Sequence, residues 1–294
     1  VSGKVFEFAA PHGAAGAAAA SSGSAASSSV TAPAVATEDW GADPWTDLRA
    51  HTAARIALGR AGAGLPTREL LRFGLAHAQA RDAVHVQLDV TALAARLQAL
   101  GCETLTAHSA ATDRAAYLLR PDLGRRLNAE DAQSLAAQAR PEGCDLLLMV
   151  GDGLSSLAVE RQAAPLIEAI RKLAPQDWTL GPVVIASQAR VALGDEVGAL
   201  LRARMVAVLI GERPGLSSPD SLGIYLTWAP RPGRNDAQRN CISNVRPEGL
   251  PPAAAAARLW WLCREARRLQ LSGVDLKDRS EEPALDAGTP QALS

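Results

Sequence analysis

Three short apolar runs, Cys144 to Val150, Pro182 to Ala186 and Met205 to Ile210, dictate the architecture of this chain. Each is the length of a strand and far below the ~18 residues of a membrane-spanning helix. Their apolar character does not alternate, so both faces of each strand are expected to be covered. Between them lie segments of helical period, Ser156 to Leu173 and about Asp195 to Arg204. Strands of this kind separated by helices predict a parallel sheet with helices on both faces. Leu222 to Trp228 alternates more and reads as an additional edge strand, and a last helix is expected from Pro252 to Leu271. Upstream, Cys102 to His108 reads as a strand, and Asn128 caps a helix through Arg140 with Ala132, Leu135, Ala136 and Ala139 inward. The expectation is a Rossmann-like α/β domain, mostly parallel, over residues 101–279.

Residues 43–100 read as a helical N-terminal region. Thr46 is placed to cap a helix to Leu58, closed by Gly59 and Gly62. A second helix opens after Pro66 and Thr67, with Leu71, Gly74, Leu75 and Ala78 on one face. Asp89 caps a third, which carries Leu93, Leu97 and Leu100. Residues 9–37 are almost wholly Ala, Ser, Gly and Thr, so 1–42 reads as a flexible tail, and 280–294 as another. No charged n-region precedes a Leu-rich segment, which argues against a secretory signal.

Charge and cysteine usage narrow the function class. A net charge of -1 and a pI near 6.6 argue against nucleic acid and anionic membrane as partners. Cys102, Cys144, Cys241 and Cys263 lie far apart without C-x-x-C spacing, which argues against a zinc site and for a reducing, cytosolic setting. On the last helix Leu259, Leu262, Cys263, Ala266 and Leu269 form one stripe. Trp261 falls opposite, among Arg258, Arg264 and Arg268, either as a second contact surface or as a ring tucked under a neighbouring segment or beneath the Arg stems.

Two words carry candidate chemistry: Gly211 to Leu216 (GERPGL), after a strand, and Cys241 to Asn244 (CISN), after a polar stretch. In an open α/β sheet, ligands bind at the carboxyl ends of strands, which singles out Glu212 and Cys241. The turn Gly151 to Ser156 (GDGLSS) offers Asp152 and Ser155 at a helix N-terminus, or is simply a capping turn. It has the pattern of neither a Walker loop, a dinucleotide fingerprint nor a nucleophile elbow. Every histidine lies at or before His108, so a Cys241–His pair has no local partner. Arg120 to Arg126 gathers three arginines at a turn, an anion site or partner contact on one reading and a solvated loop on the other. No self-contained catalytic set and no metal set emerges. A free-standing α/β hydrolase or nucleotide-binding module using Asp152, Ser155 and Cys241 stays open at this point, as does an adaptor docking through Trp261 and the Arg120 loop.

Taken together and in order, Leu58–Gly62, Leu119–Leu127, Asp152–Ser155, Arg190–Val191, Gly211–Leu216, Cys241–Asn244 and Ser272–Val274 resemble the small subunit of ethanolamine ammonia-lyase. The resemblance runs from Trp45 to about Arg279. It implies a heteromeric lyase that depends on adenosylcobalamin and converts ethanolamine to acetaldehyde and ammonia by a radical route. The large subunit holds the substrate, and cobalamin lies between the two chains. The missing D-x-H-x-x-G agrees with a cobalamin that keeps its own base on cobalt. By resemblance the cofactor-binding residues are Val191, Glu212 and Cys241, all placed on loops after strands, with no catalytic residue in this chain. A cytoplasmic setting follows, within a bacterial microcompartment in some relatives.

Overall fold

A computed structural model describes residues 45–52 and 54–280. The expected tail over 1–42 and the last residues, 281–294, lie outside the described residues. The strands are β1 (Thr104–His108), β2 (Cys144–Gly151), β3 (Leu180–Ser187), β4 (Ala203–Gly211), β5 (Leu222–Trp228) and β6 (Arg239–Val245). They form one sheet in the order β1-β3-β2-β4-β5-β6. The first four run parallel, while β5 is antiparallel to both β4 and β6. The helices are α1 (Thr67–His85), α2 (Val90–Ala99), α3 (Arg114–Leu119), α4 (Ala129–Ala137), α5 (Ser156–Lys172), α6 (Leu193–Leu200) and α7 (Pro252–Leu269).

Successive strand residues point to opposite faces, which divides the apolar runs between two cores. On one face Leu146, Leu148, Val150, Met205, Ala207 and Leu209 pack with residues of α2, α5 and α7. On the other, Leu147, Met149, Val184, Val206 and Val208 pack with Leu135 of α4 and with Leu193 and Val197 of α6. The uninterrupted runs are thus explained by burial on both sides. Caps fall where the sequence places them: Asp89, Asn128 and Ser155 accept from Ala92, Asp131 and Ala158 backbone N–H.

Four expectations need correction. No helix runs from Thr46 to Leu58; a single 3-10 turn spans Asp47–Ala50, and Thr46 is itself helical without a side-chain cap. Ala57 adopts φ 51°, which breaks helical continuation. Strand β5 is internal to the sheet and β6 forms its edge. CISN therefore lies within a strand, Tyr225 pairing with Cys241 and Ile224 with Ile242. Finally, α4 buries Leu135 but leaves Ala136 exposed. Trp261 is half-buried against the core, whereas Trp260, which the stripe omitted, is fully buried and donates its indole N–H to Ile170 O at 2.8 Å.

Candidate functional site

The carboxyl end of the sheet divides into two unlike halves. Around β2 and β3 it is filled by polar packing. Asp152, on the turn after β2, accepts from Ala189 N (2.9 Å), Gln188 N (3.0 Å) and Arg114 Nη1 (3.1 Å). Burial pushes its carboxyl up against the pull of the Ala189 amide and of Arg114. The Arg114 and Arg190 guanidiniums both lie against the Tyr117 ring, at 4.8 and 4.4 Å from its centroid. Burial, followed by the Asp152 charge, pushes the Tyr117 phenol up to about 12, and its O–H donates to Ala189 O at 3.0 Å. The Leu119–Leu127 word closes over this cluster: Gly124 O accepts from Arg190 N, and a Cβ at Gly124 would stand 2.8 Å from the Arg190 side chain. The backbone carrying Arg190 and Val191 is therefore held from two sides.

The GDGLSS turn is structural. Gly153 has φ 56° and lies so close to Gly211 O that any Cβ would collide with it. Leu154 N donates to the same carbonyl at 2.9 Å, so the ends of β2 and β4 interlock. Ser155 caps α5 and donates to Pro219 O at 2.7 Å. With Asp152 clamped and Ser155 engaged, the hydrolase set of Asp152, Ser155 and Cys241 is not assembled.

Around β4, β5 and β6 the same end is open. Glu212 follows β4, and its Oε2 accepts from Ser221 Oγ (2.5 Å) and from Asn244 N (3.3 Å). GERPGL and CISN are thereby physically joined. Oε1 has no hydrogen-bond partner among the described residues and lies beside Gly223, where a Cβ would stand 2.9 Å from it. On this face α6 covers β4, while the outer strands leave Cys241 and Ser243 exposed and Tyr225 half-buried. Cys241 Sγ and Ser243 Oγ are 3.2 Å apart. Burial, then the neighbouring Cys241, pushes the Tyr225 phenol up. Val191, in the turn before α6, is half-buried against the same core group as Tyr225. An exposed strip with one carboxylate oxygen free at its head can accept from a hydrogen-bond donor.

Of the three expected contact residues, Val191 and Glu212 lie on turns after β3 and β4, as anticipated; Cys241 lies inside β6, facing solvent from the edge. Ser221, Gly223 and Tyr225 were not foreseen, because what identifies them is cross-strand position. A cleft of about 840 Å³ lies at the opposite end of the sheet and is lined by Arg202, Arg204, Trp228 and Arg267, among others. Its arginines are partly engaged, Arg204 with Asp145 at 3.1 Å and Arg267 with Asp177 at 3.4 Å. Among the described residues no group of His, Cys, Asp and Glu is disposed to hold a metal ion, and no helix is long and apolar enough to cross a membrane.

The family model "Ethanolamine ammonia-lyase light chain (EutC)" matches residues 42–277. Three relatives bear the description ethanolamine ammonia-lyase small subunit. The Ralstonia nicotianae protein is 59% identical over 259 residues, covering 87% of this chain and 94% of its own. That of Pseudomonas syringae pv. tomato is 57% identical over 249 residues, covering 84% and 87%. That of Xanthomonas campestris pv. campestris is 58% identical over 250 residues, covering 84% and 92%. The chain belongs to the ethanolamine ammonia-lyase light-chain family.

Proposed function

We propose that the open β4–β6 end of the sheet is this light chain's half of a cobalamin site, with Val191, Glu212 and Cys241 as its contacts. The enzyme is an ethanolamine ammonia-lyase built with a large subunit. Adenosylcobalamin, when bound, supplies the radical chemistry that turns ethanolamine into acetaldehyde and ammonia. The observation that carries the reading is the state of Glu212: one carboxylate oxygen is fixed by Ser221 and Asn244, and the other is left over next to a glycine. A corrin is a wide, flat ring rimmed with primary amides, whose N–H groups match a spare carboxylate oxygen.

This chain's residues then hold and shield. Glu212 Oε1 accepts an amide N–H, Cys241 and Tyr225 offer a flat floor, and Val191 sets the floor's inner margin. Covering that strip removes water from the space between the subunits, which protects a radical reaction from quenching. With four free cysteines among the described residues, the chain suits a reducing cytoplasm, and a microcompartment is the setting wherever the host encloses this pathway.

The test uses the assembled enzyme. Glu212→Gln and Cys241→Ala are expected to weaken cobalamin binding, read by the corrin absorbance retained on a desalting column, while the chain stays folded. Unchanged affinity in both variants removes the site assignment. The light chain with adenosylcobalamin alone is expected to yield no acetaldehyde; turnover without the large subunit would overturn the division of labour.

A further inference from the structure

Strand β6 carries one residue more than β5 at the point where GERPGL and CISN meet. Leu222 pairs with Val245 and Ile224 with Ile242, so Gly223 alone stands opposite Ser243 and Asn244. The extra residue makes a bulge, a device that interrupts a ladder and re-aims a group next to it. Asn244 takes up the bulge with φ 60°, a left-handed conformation that asparagine tolerates better than most residues. Its N–H donates to Glu212 Oε2 at 3.3 Å.

Arg246 grips this bulge and the loop that faces it. Its side chain is 14% exposed, too little for a freely moving surface cation. Nε donates to Asn244 Oδ1 at 3.0 Å, and Nη1 donates to Ser217 O at 3.2 Å, on the loop between Glu212 and Ser221. Nη1 also stands 3.9 Å from Asp220 Oδ1, while Asp220 Oδ2 lies 2.8 Å from Arg161 Nη1 on α5. The turn after β6 is closed by Leu250 N donating to Asn244 O at 2.8 Å and Arg246 N donating to Leu250 O at 3.1 Å. One guanidinium therefore spans the two segments that supply Glu212 Oε2 with its donors, Asn244 N from one and Ser221 Oγ from the other. Among the described residues Arg246 makes no hydrogen bond to Glu212 itself, so it acts on that carboxylate only through Asn244 and the loop.

We infer that Arg246 is a positioning residue for the cobalamin contact: by clamping the Asn244 bulge to the Ser217–Asp220 segment, it keeps Glu212 Oε2 occupied and Oε1 available to a ligand donor. The inference rests on the function proposed above and adds the residue that sets the geometry of its contact. A carboxylate already held in one orientation loses little freedom on accepting an amide N–H, which is how preorganisation raises affinity.

The experiment measures cobalamin affinity of the assembled enzyme, read by corrin absorbance, for wild type, Arg246→Met, Glu212→Ala and the double variant. Methionine keeps the apolar stem without a donor, and Asp220 retains Arg161, so the variant should stay folded. Arg246→Met should weaken cobalamin binding about tenfold, roughly the worth of one charge-assisted hydrogen bond. Once Glu212 is alanine, the same change should cost less than about twofold, because residues acting through one group are not additive. A general structural role predicts the same loss in both backgrounds. That result, or wild-type affinity in Arg246→Met, overturns the inference and leaves the proposed function standing. An equal loss of affinity for the large subunit, measured without cobalamin, overturns it too. Wild-type cobalamin affinity in Glu212→Ala overturns both. Should Arg246→Met fail to fold, Arg246→Lys is read in the same cycle, with a loss of about threefold expected from a charge kept without its fork.

Discussion

Replacing Asp152 with asparagine tests whether the loop bearing Val191 is held by the charge clamp. The carboxylate serves three donors, Oδ1 taking Ala189 N and Oδ2 taking Gln188 N and Arg114 Nη1. An amide of the same size keeps one oxygen. In its better orientation it still serves Gln188 and Arg114, and its NH₂ then faces the Ala189 N–H. An unsatisfied buried donor costs about 1–3 kcal/mol. Arg114 is 7% exposed and loses its counter-charge, for which about 3–5 kcal/mol is typical of a broken buried pair. The retained neutral hydrogen bond recovers part of this, and the two losses share one residue, so the net is about 4 kcal/mol. A slope near 2.5 kcal/mol/M turns this into a urea midpoint lower by roughly 1.5 M. Because the clamp fixes the backbone before Val191, cobalamin retention by the assembled enzyme should fall as well. A midpoint shift below about 0.4 M, a loss of only ~1 kcal/mol on the same slope, would refute the clamp. So would strict additivity with Arg114→Gln, since residues that share one hydrogen-bonded pair must couple.

Two further outcomes follow from the same structure. Gly153→Ala should destabilise the chain by at least about 2 kcal/mol, from the left-handed φ and the collision with Gly211 O, whereas Gly74→Ala, in open space, should not destabilise it; urea melts compare the two. Asp145 tests pH dependence. Burial raises its carboxyl, but the Thr179 N–H and O–H and the Arg204 charge outweigh this and hold it below the ordinary carboxylate value. A depressed folded value means its stabilisation is present above the unfolded value and is lost as pH falls through the folded one. Asp145→Asn should therefore cost about 1–2 kcal/mol at pH 7, with the gap from wild type closing as acid protonates the wild-type carboxyl. A gap that stays constant down to pH 3 would contradict that cause.

What the chain disclosed in advance was set by local physics. Runs such as Met205 to Ile210 read correctly because burial on both faces leaves an unbroken apolar signature, and Asp89, Asn128 and Ser155 because a cap acts within one turn. Position across the sheet was not legible. CISN looked like a loop because its polar Cys241 and Ser243 face solvent from an edge strand, while Ile242 between them faces the core. Several words that marked the family proved to be joints of the fold. Ser272 accepts from Trp228 N and donates to Gln238 O, and Gly273 N donates to Asn240 Oδ1, so this word latches the C-terminal segment to β5 and β6. Leu71 and Leu75 had the spacing of a core-facing stripe, yet they are exposed, since spacing reports an apolar face and is silent on what covers it.

The topology gives a reason for the proposed cobalamin strip to lie where it does. In an open α/β sheet the crevice forms between neighbouring strands whose following helices pass to opposite faces. Here α5, after β2, packs with the α2 and α7 core, while α6, after β3, packs with α4, so the switch falls between β2 and β3. That crevice is filled: Asp152 bridges it to Gln188 and Ala189, and Arg114, Tyr117 and Arg190 stack above. A nucleotide-sized ligand there would have to displace a buried ion pair and three further hydrogen bonds, counting Tyr117 to Ala189 O. The antiparallel addition of β5 and β6 extends the sheet beyond the cover of α6 and supplies a strip that is flat, partly apolar and open on one side. A corrin held between two subunits needs a broad shelf more than a deep cleft. The side chains that plug the crevice also fix the turn that carries Val191, one of the proposed contacts.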